Sequence, residues 1–237
     1  MSVLTLQLAG PLQSWGASAR FARRTTENAP TKSGVIGLLA AAQGRARHIP
    51  IDDLAALRFA VRLDQPGRRL RDYQTAHHQV TDKSMPVSER FYLADAVFVA
   101  AVEGDHALIR TLYEAVRSPG FLPFLGRRSC PPAKPVDLAV HDGNLEQALT
   151  DEPWRASAWY QRQRRRDTTV ELTVLLETKD GSGDVLRDQP VSFAADHRQH
   201  ALRTITTTTV TVPNPLATPR SVVPRHDPVS HLQAESA

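Results

Sequence analysis

The stretch "NAPTKSGVIGLLAAAQG", Asn28 to Gly44, sets Thr-Lys-Ser directly before an uncharged, mostly apolar run from Val35 to Ala42. A membrane-spanning helix needs about 20 apolar residues. Gln43, Gly44 and Arg45 end this run far short of that, so it reads as a core helix. A phosphate-binding loop of the pattern G-x-x-x-x-G-K-[ST] is matched only at Lys32 and Ser33. Thr26 and Thr31 stand where glycines must let backbone amides wrap a phosphate. What remains is a helix start with Thr31 or Ser33 as N-cap, and with Gly34 and Gly37 allowing another backbone to come close. Free amides, a positive dipole end and a lysine together favour an anion. Lys32 and Ser33 are therefore candidates to grip a phosphate, against the plainer reading of a capped core helix.

Outward from that helix, periodicity predicts a strand over 3–9, where Val3, Leu4, Leu6 and Leu8 interleave with Thr5 and Gln7. A long Arg-rich loop follows over 10–30, then the helix over 34–45 and a strand over 57–63. A polar, mostly unpatterned excursion runs from Asp64 to Ser88. Next, "RFYLADAVFVAAVEG" is a strand pair or one bent strand. "DHALIRTLYEAVRS" is an amphipathic helix capped by Asp105, with Leu108, Leu112, Tyr113 and Val116 on one face. A strand near 136–140 completes a β-α-β-β-α-β order, the ferredoxin-like arrangement used by many RNA-recognition modules. Beyond Asp142, "NLEQALTDEPW" predicts a short helix stopped by Pro153, "RQRRR" is a charge run, and "TTVELTVLLETK" and "TITTTTVTV" predict two paired strands. Residues 214–237, rich in proline, serine and histidine, are expected to be a disordered tail.

The N-terminus lacks the basic region of a secretory signal, and the single cysteine, Cys130, rules out an intrachain disulfide and multi-cysteine metal sites. Both favour a cytoplasmic protein. Net charge is only +4, yet 25 of the 29 basic residues are arginine, against the four lysines Lys32, Lys83, Lys134 and Lys179. The arginines cluster at Arg20/Arg23/Arg24, Arg45/Arg47, Arg68/Arg69/Arg71, Arg127/Arg128 and Arg162/Arg164/Arg165/Arg166. A GC-rich genome would also raise the Arg share, but clusters in loops between apolar segments resemble a path for a polyanion. His197 and His200 have no acidic or cysteine partner nearby in sequence, so no metal site is expected there.

Five motifs occur together: "LAGPLQSWG" after the first strand, "PTKSGVIGLLAAAQGR" on the first helix, "LRDYQTAHH" in the excursion, "FLPFLGRRSCPP" after the second helix and "HRQHALR" near the end. Together they resemble the CasD family, the subunit of the type I-E CRISPR surveillance complex Cascade that holds the 5′ handle of the guide RNA. The resemblance runs from Val3 to about Val212. It implies a ferredoxin-like α+β domain over 1–145, with a β-hairpin thumb inserted at about 70–90. A small β-rich C-terminal subdomain over 146–213 would follow, and then the tail. It further implies a crRNA-binding, non-catalytic role with no cofactor or metal. The implied partners are the guide-coating backbone subunit, whose filament it would cap, the large subunit that recognises the protospacer-adjacent motif, and other Cascade subunits, with target DNA met only indirectly and no membrane.

A single-stranded handle offers phosphates, splayed bases and 2′-hydroxyls, which call for a basic groove and aromatic faces. Gln13 and Ser14 are candidates for base edges and Trp15 for a stacking face. Arg20, Arg24, Lys32 and Ser33 are candidates for phosphate, joined by Arg71 and His77 on the thumb and by Arg127 and Arg128. The plain alternatives are a turn for Gln13 and Ser14 and core packing for Trp15. Relatives in type I-C cut RNA, so the alternative function is a metal-independent endoribonuclease that processes precursor crRNA. Tyr73, His77 and His78 would then act as base and acid, and Arg71 or Lys83 as the cation. Adjacent His77 and His78 would face opposite ways on extended backbone, which disfavours a shared site.

Overall fold

The computed structural model describes residues 1–16, 23–178 and 180–218. In chain order its elements are β1 Ser2–Ala9, β2 Leu12–Gln13, β3 Arg23–Arg24, α1 Lys32–Ala42, α2 Asp52–Ala55, β4 Arg58–Gln65, β5 Arg68–Gln74, β6 Ser88–Ala94, β7 Val97–Gly104, α3 His106–Arg117, β8 Asp137–Asp142, α4 Leu145–Asp151, α5 Ala158–Gln163, β9 Thr169–Glu177, β10 Asp184–Ser192 and β11 Gln199–Pro213. They make a mixed, sheet-dominated α/β fold. A seven-stranded sheet runs β10-β11-β9-β4-β7-β1-β8, and a smaller one is centred on β6.

Strand alternation decides which helix lies on which face of the large sheet. On β1, Leu4, Leu6 and Leu8 join Phe59, Val61, Phe98, Ala100 and Val102 in a core closed by α1 and α3. The other face of the same strands, with Val3, Ala60, Val99 and Ala101, packs on Leu145, Ala148 and Leu149 of α4. Every residue of β1 is therefore buried. Thr5, polar in a two-sided core, donates to the Ala139 carbonyl at 3.2 Å. α4 is fastened by Arg62 of β4. Its guanidinium bonds Asp64 at 2.8 and 2.9 Å and donates to the carbonyls of Leu149, Glu152 and Pro153. Those carbonyls include ones a helix end leaves without an intrahelical partner.

Helix α1 starts two residues earlier than its periodicity predicts, because Thr31 is the cap and its hydroxyl accepts from the Gly34 N–H at 3.2 Å. In α3, Asp105 caps as expected, and Ile109, Leu112 and Val116 form the buried stripe while Leu108 and Tyr113 flank it. The run 88–104 is two strands in different sheets. Asp95, at φ 58, makes the bend between them, a backbone region that Asp tolerates better than most residues.

Besides the short β2, β3 and α2, the sequence reading left out β10 and α5. β10 carries Pro190 and alternating charges and does not read as a strand, yet it pairs with β11. α5 holds the start of the charge run. The expected tail begins too early at Asn214. That residue is 5% exposed, and its amide donates to the carbonyls of Gln161 and Arg164. Residues 219–237 lie outside the described residues.

Gly126 has φ +83, and a Cβ there would lie 1.9 Å from the Ser14 carbonyl oxygen. Gly126→Ala therefore combines left-handed strain with a backbone clash. It should cost about 3 kcal/mol or more, read as a lower urea midpoint at constant m-value. An unchanged midpoint would contradict this packing.

Candidate nucleic-acid interface

The smaller sheet carries the exposed arginines. β6 pairs with β5 along one edge, in register from Arg68↔Ala94 to Gln74↔Ser88. Along its other edge it meets β2 and, in parallel, β3, where Arg23 pairs with Glu89 and Arg24 with Arg90. Alternate residues share a face, so the register sorts the charges. One face holds Arg23, Glu89, Phe91, Arg71 and Tyr73, and the other holds Arg24, Arg90, Tyr92, Asp72 and Leu70.

On the first face, Arg23 lies over the Phe91 ring at 5.5 Å and Arg71 over the Tyr73 ring at 4.7 Å. Glu89, half-buried, sits between the two exposed arginines at 3.8 and 3.7 Å, beyond hydrogen-bond length. Such contacts contribute little to stability and leave the guanidinium forks free for another acceptor. Tyr73, 53% exposed, presents an aromatic surface beside them. On the second face, Arg127 covers Tyr92 at 5.0 Å and donates to the Arg24 carbonyl at 2.8 Å. Its Nη1 is buried and meets no hydrogen-bond partner among the described residues. Arg128 next to it is exposed.

Five of the residues predicted from sequence to touch a ligand are instead buried, and the physical reason is the same each time: their polar atoms are already used. Trp15 is 0% exposed, packs on Gly34, and donates through Nε1 to Gln13 Oε1 at 3.0 Å. Gln13 Nε2 donates to the carbonyls of Leu8 and Ala96 at 2.9 and 2.8 Å, and Ser14 Oγ to that of Phe91 at 3.0 Å. These three residues form the joint between the two sheets, with no face left for a base. Ser33 is buried beside Thr31.

Lys32 is buried as well. Its Nζ donates to Glu177 Oε1 at 2.9 Å, and its backbone N–H donates to Asp188 Oδ2 at 2.8 Å. Burial pushes the Lys32 ammonium below its ordinary pKa, while Glu177 opposes that shift. The helix start does attract an anion, but the anion is the chain's own Asp188.

Of the remaining candidates, Arg24, Arg71, Arg127 and Arg128 gather on or beside the small sheet. His77 stands apart at the tip of the β5–β6 hairpin, bridged to Ser84. Its Nδ1 lies 3.0 Å from the Asp82 carbonyl. Arg20 lies outside the described residues. Arg23, Arg68 and Arg90 belong to the surface too. Pairing β5 against β6 by alternation would have placed Arg68 and Arg90 there, whereas Arg23 joins through the two-residue strand β3.

His78, the third candidate of the nuclease reading, accepts at Nδ1 from the Thr81 N–H at 3.2 Å. Among the described residues no three His, Cys, Asp or Glu side chains gather as a metal site, and no helix is long and apolar enough to cross a membrane. Cys130 is buried and free, and burial raises its thiol pKa. That suits a core filler better than a nucleophile.

Fold and surface together define a sheet-dominated α/β protein with an arginine- and tyrosine-bearing hairpin built off its main sheet. Residues 3–206 match the family model of CRISPR-associated protein (Cas_Cas5). The CRISPR system Cascade subunit CasD of Escherichia coli (strain K12) is 40% identical over 163 residues, covering 59% of this chain and 71% of that one. Among solved structures, a chain described as "CRISPR RNA-guided surveillance complex" superposes with a TM-score of 0.72 at 33% identity, covering 92% of this chain and 94% of its own. A second, "Crystal structure of Cas protein", gives a TM-score of 0.69 at 33% identity, with 92% of this chain and 98% of that one covered. The chain belongs to the Cas5 family of CRISPR-associated proteins.

If Lys32 is a structural charge, Lys32→Ala leaves Glu177 without its cation and should cost about 3–5 kcal/mol of stability. Lys32→Met combined with Glu177→Gln should recover most of that loss, because no uncompensated charge stays buried while Phe59 N–H keeps an acceptor. A stability loss in Lys32→Ala of under about 0.5 kcal/mol would contradict the assignment.

Proposed function

We propose that this chain is the crRNA-binding subunit of a type I-E Cascade complex, holding the 5′ handle of the guide RNA and capping the filament of backbone subunits. The observation that carries the reading is the small sheet, where exposed arginines interleave with aromatic rings and leave their forks unsaturated. Arginine forks match phosphate oxygens, and Tyr73 offers a face to an unpaired base. Relatives named as a Cascade subunit and as a surveillance complex support the assembly role.

On this reading residues 1–145 are a ferredoxin-like RNA-binding domain, supported by the consecutive order β4-β7-β1-β8 in the large sheet with α1 and α3 on one face. The β5–β6 hairpin is its thumb. Residues 146–213 are a C-terminal subdomain joined to it through the β4–β9 pairing. The protein acts in the cytoplasm beside the backbone subunit and the large subunit that reads the protospacer-adjacent motif. It meets target DNA through the guide and cuts nothing itself. The contacts we assign to RNA are Arg23, Arg24, Arg71, Arg90, Arg127 and Arg128, with His77 at the hairpin tip.

The triple variant Arg23→Ala/Arg71→Ala/Arg90→Ala should fold and bind a repeat-derived handle RNA more weakly. Its log-log salt slope should be shallower by about 2, at roughly 0.7 for each single-strand phosphate no longer neutralised. An unchanged slope would remove the small sheet from the interface. In the same reaction, site-specific cleavage that survives a chelator would overturn the non-catalytic part of the proposal in favour of a metal-independent endoribonuclease.

A further inference from the structure

The charge run that begins in the last turn of α5 is not used by the small sheet. Trp159, Arg162, Gln163, Arg165 and Arg166 line a surface groove of about 550 Å³. Trp159 is 46% exposed, while Trp15 and Trp154 are buried. Tyr160 meets the Trp159 ring at 5.6 Å and 85°, and among the described residues no aromatic ring stacks parallel on the indole. Tyr160 in turn packs edge-on against buried Trp154 at 6.0 Å, which roots the exposed indole in the core.

The arginines are held on a fixed turn. Arg164 N–H, Arg165 N–H and Asp167 N–H donate to the carbonyls of Gln161, Arg162 and Arg164, and Asn214 and the Thr218 N–H close the turn from outside. No side chain of Arg162, Arg165 or Arg166 makes an ion pair or hydrogen bond among the described residues. Between Ser157 and Thr168 the only carboxylate is Asp167.

A half-exposed indole with no parallel ring stacked on it, flanked by three guanidinium groups without a pairing partner among the described residues, matches single-stranded nucleic acid: stacking takes the base and the forks take the phosphates. An acidic protein surface would use the charges but not the exposed ring. Placement adds to this. Ser157, two residues before Trp159, bonds Gln65 Oε1 at 2.7 Å, and Gln65 Nε2 holds the Asp95 carbonyl at 2.6 Å. α5 is therefore tied to the root of the β5–β6 hairpin. We propose that the α5 turn is a second contact for single-stranded nucleic acid, in which Trp159 stacks one unpaired base and Arg162, Arg165 and Arg166 hold the neighbouring phosphates.

Because Trp159 is the exposed one of three tryptophans, fluorescence reads the site directly. Oligouridine or oligothymidine titrated into the full chain should quench its emission, and the quench should vanish in Trp159→Phe. Arg162→Ala/Arg165→Ala/Arg166→Ala should need on the order of 10-fold more oligonucleotide for the same quench, given the strength of base and phosphate contacts. A duplex of equal length should leave the indole unquenched. The hairpin variant Arg23→Ala/Arg71→Ala/Arg90→Ala should keep the quench, which separates failure of this site from failure of the hairpin. No quench by either single strand, equal quench by the duplex, or equal quench by polyglutamate of the same charge would overturn the proposal.

Discussion

The buried cluster of Lys32, Glu177, Asp188 and Arg203 is the constraint on which the arrangement of this chain rests. Glu177, at the end of β9, takes the Lys32 ammonium on one oxygen and the Phe59 N–H of β4 on the other. Asp188 on β10 takes the Lys32 N–H at the start of α1 and both donors of Arg203 on β11. Four strands and one helix converge on two carboxylates. Desolvating these charges is costly, and they persist only because each oxygen finds a geometric partner. The result is that the C-terminal strands continue the large sheet and α1 is pinned to that sheet at its β10 end.

With α1 so placed, the rest of the joint follows. Gly34 on α1 leaves just enough room for the Trp15 ring, where a Cβ would stand 2.8 Å from it. Trp15 orients Gln13, and Gln13 stitches β1 to the start of β7. Ser14 then holds β6 by its Phe91 carbonyl. The small sheet is thereby anchored at its β2 end, while its hairpin projects away. Charged groups divide along this line: inside the joint they are paired and desolvated, and on the hairpin they are exposed, loosely contacted and available.

Much of the frame was legible in the sequence because it obeys simple periods. β1, α1, α3 and β9 each bury a stripe or face that hydrophobicity reveals. The hairpin strands β5 and β6 were harder, since β5 is polar on both faces and no core face sets its register. β10 was illegible because Arg187 and Asp188 look like loop residues, whereas Asp188 owes its burial to Arg203 and Lys32. Lys32 itself was misread for a reason that sequence spacing hides. A cation at a helix start looks like a phosphate ligand until its carboxylate appears 145 residues later. Trp15 likewise resembles a stacking platform until Gly34 and Gln13 are seen against it.

The central claim is that exposed arginines of the small sheet meet RNA while buried ones only hold the fold. Arginine-specific covalent labelling with peptide-level readout, with and without handle RNA, tests it most directly. The account predicts that Arg23, Arg24, Arg71 and Arg90 react in the free protein and are protected by RNA, whereas Arg62, whose side chain is 0% exposed, resists labelling in both states. Undiminished labelling of all four sheet arginines at saturating RNA would contradict it.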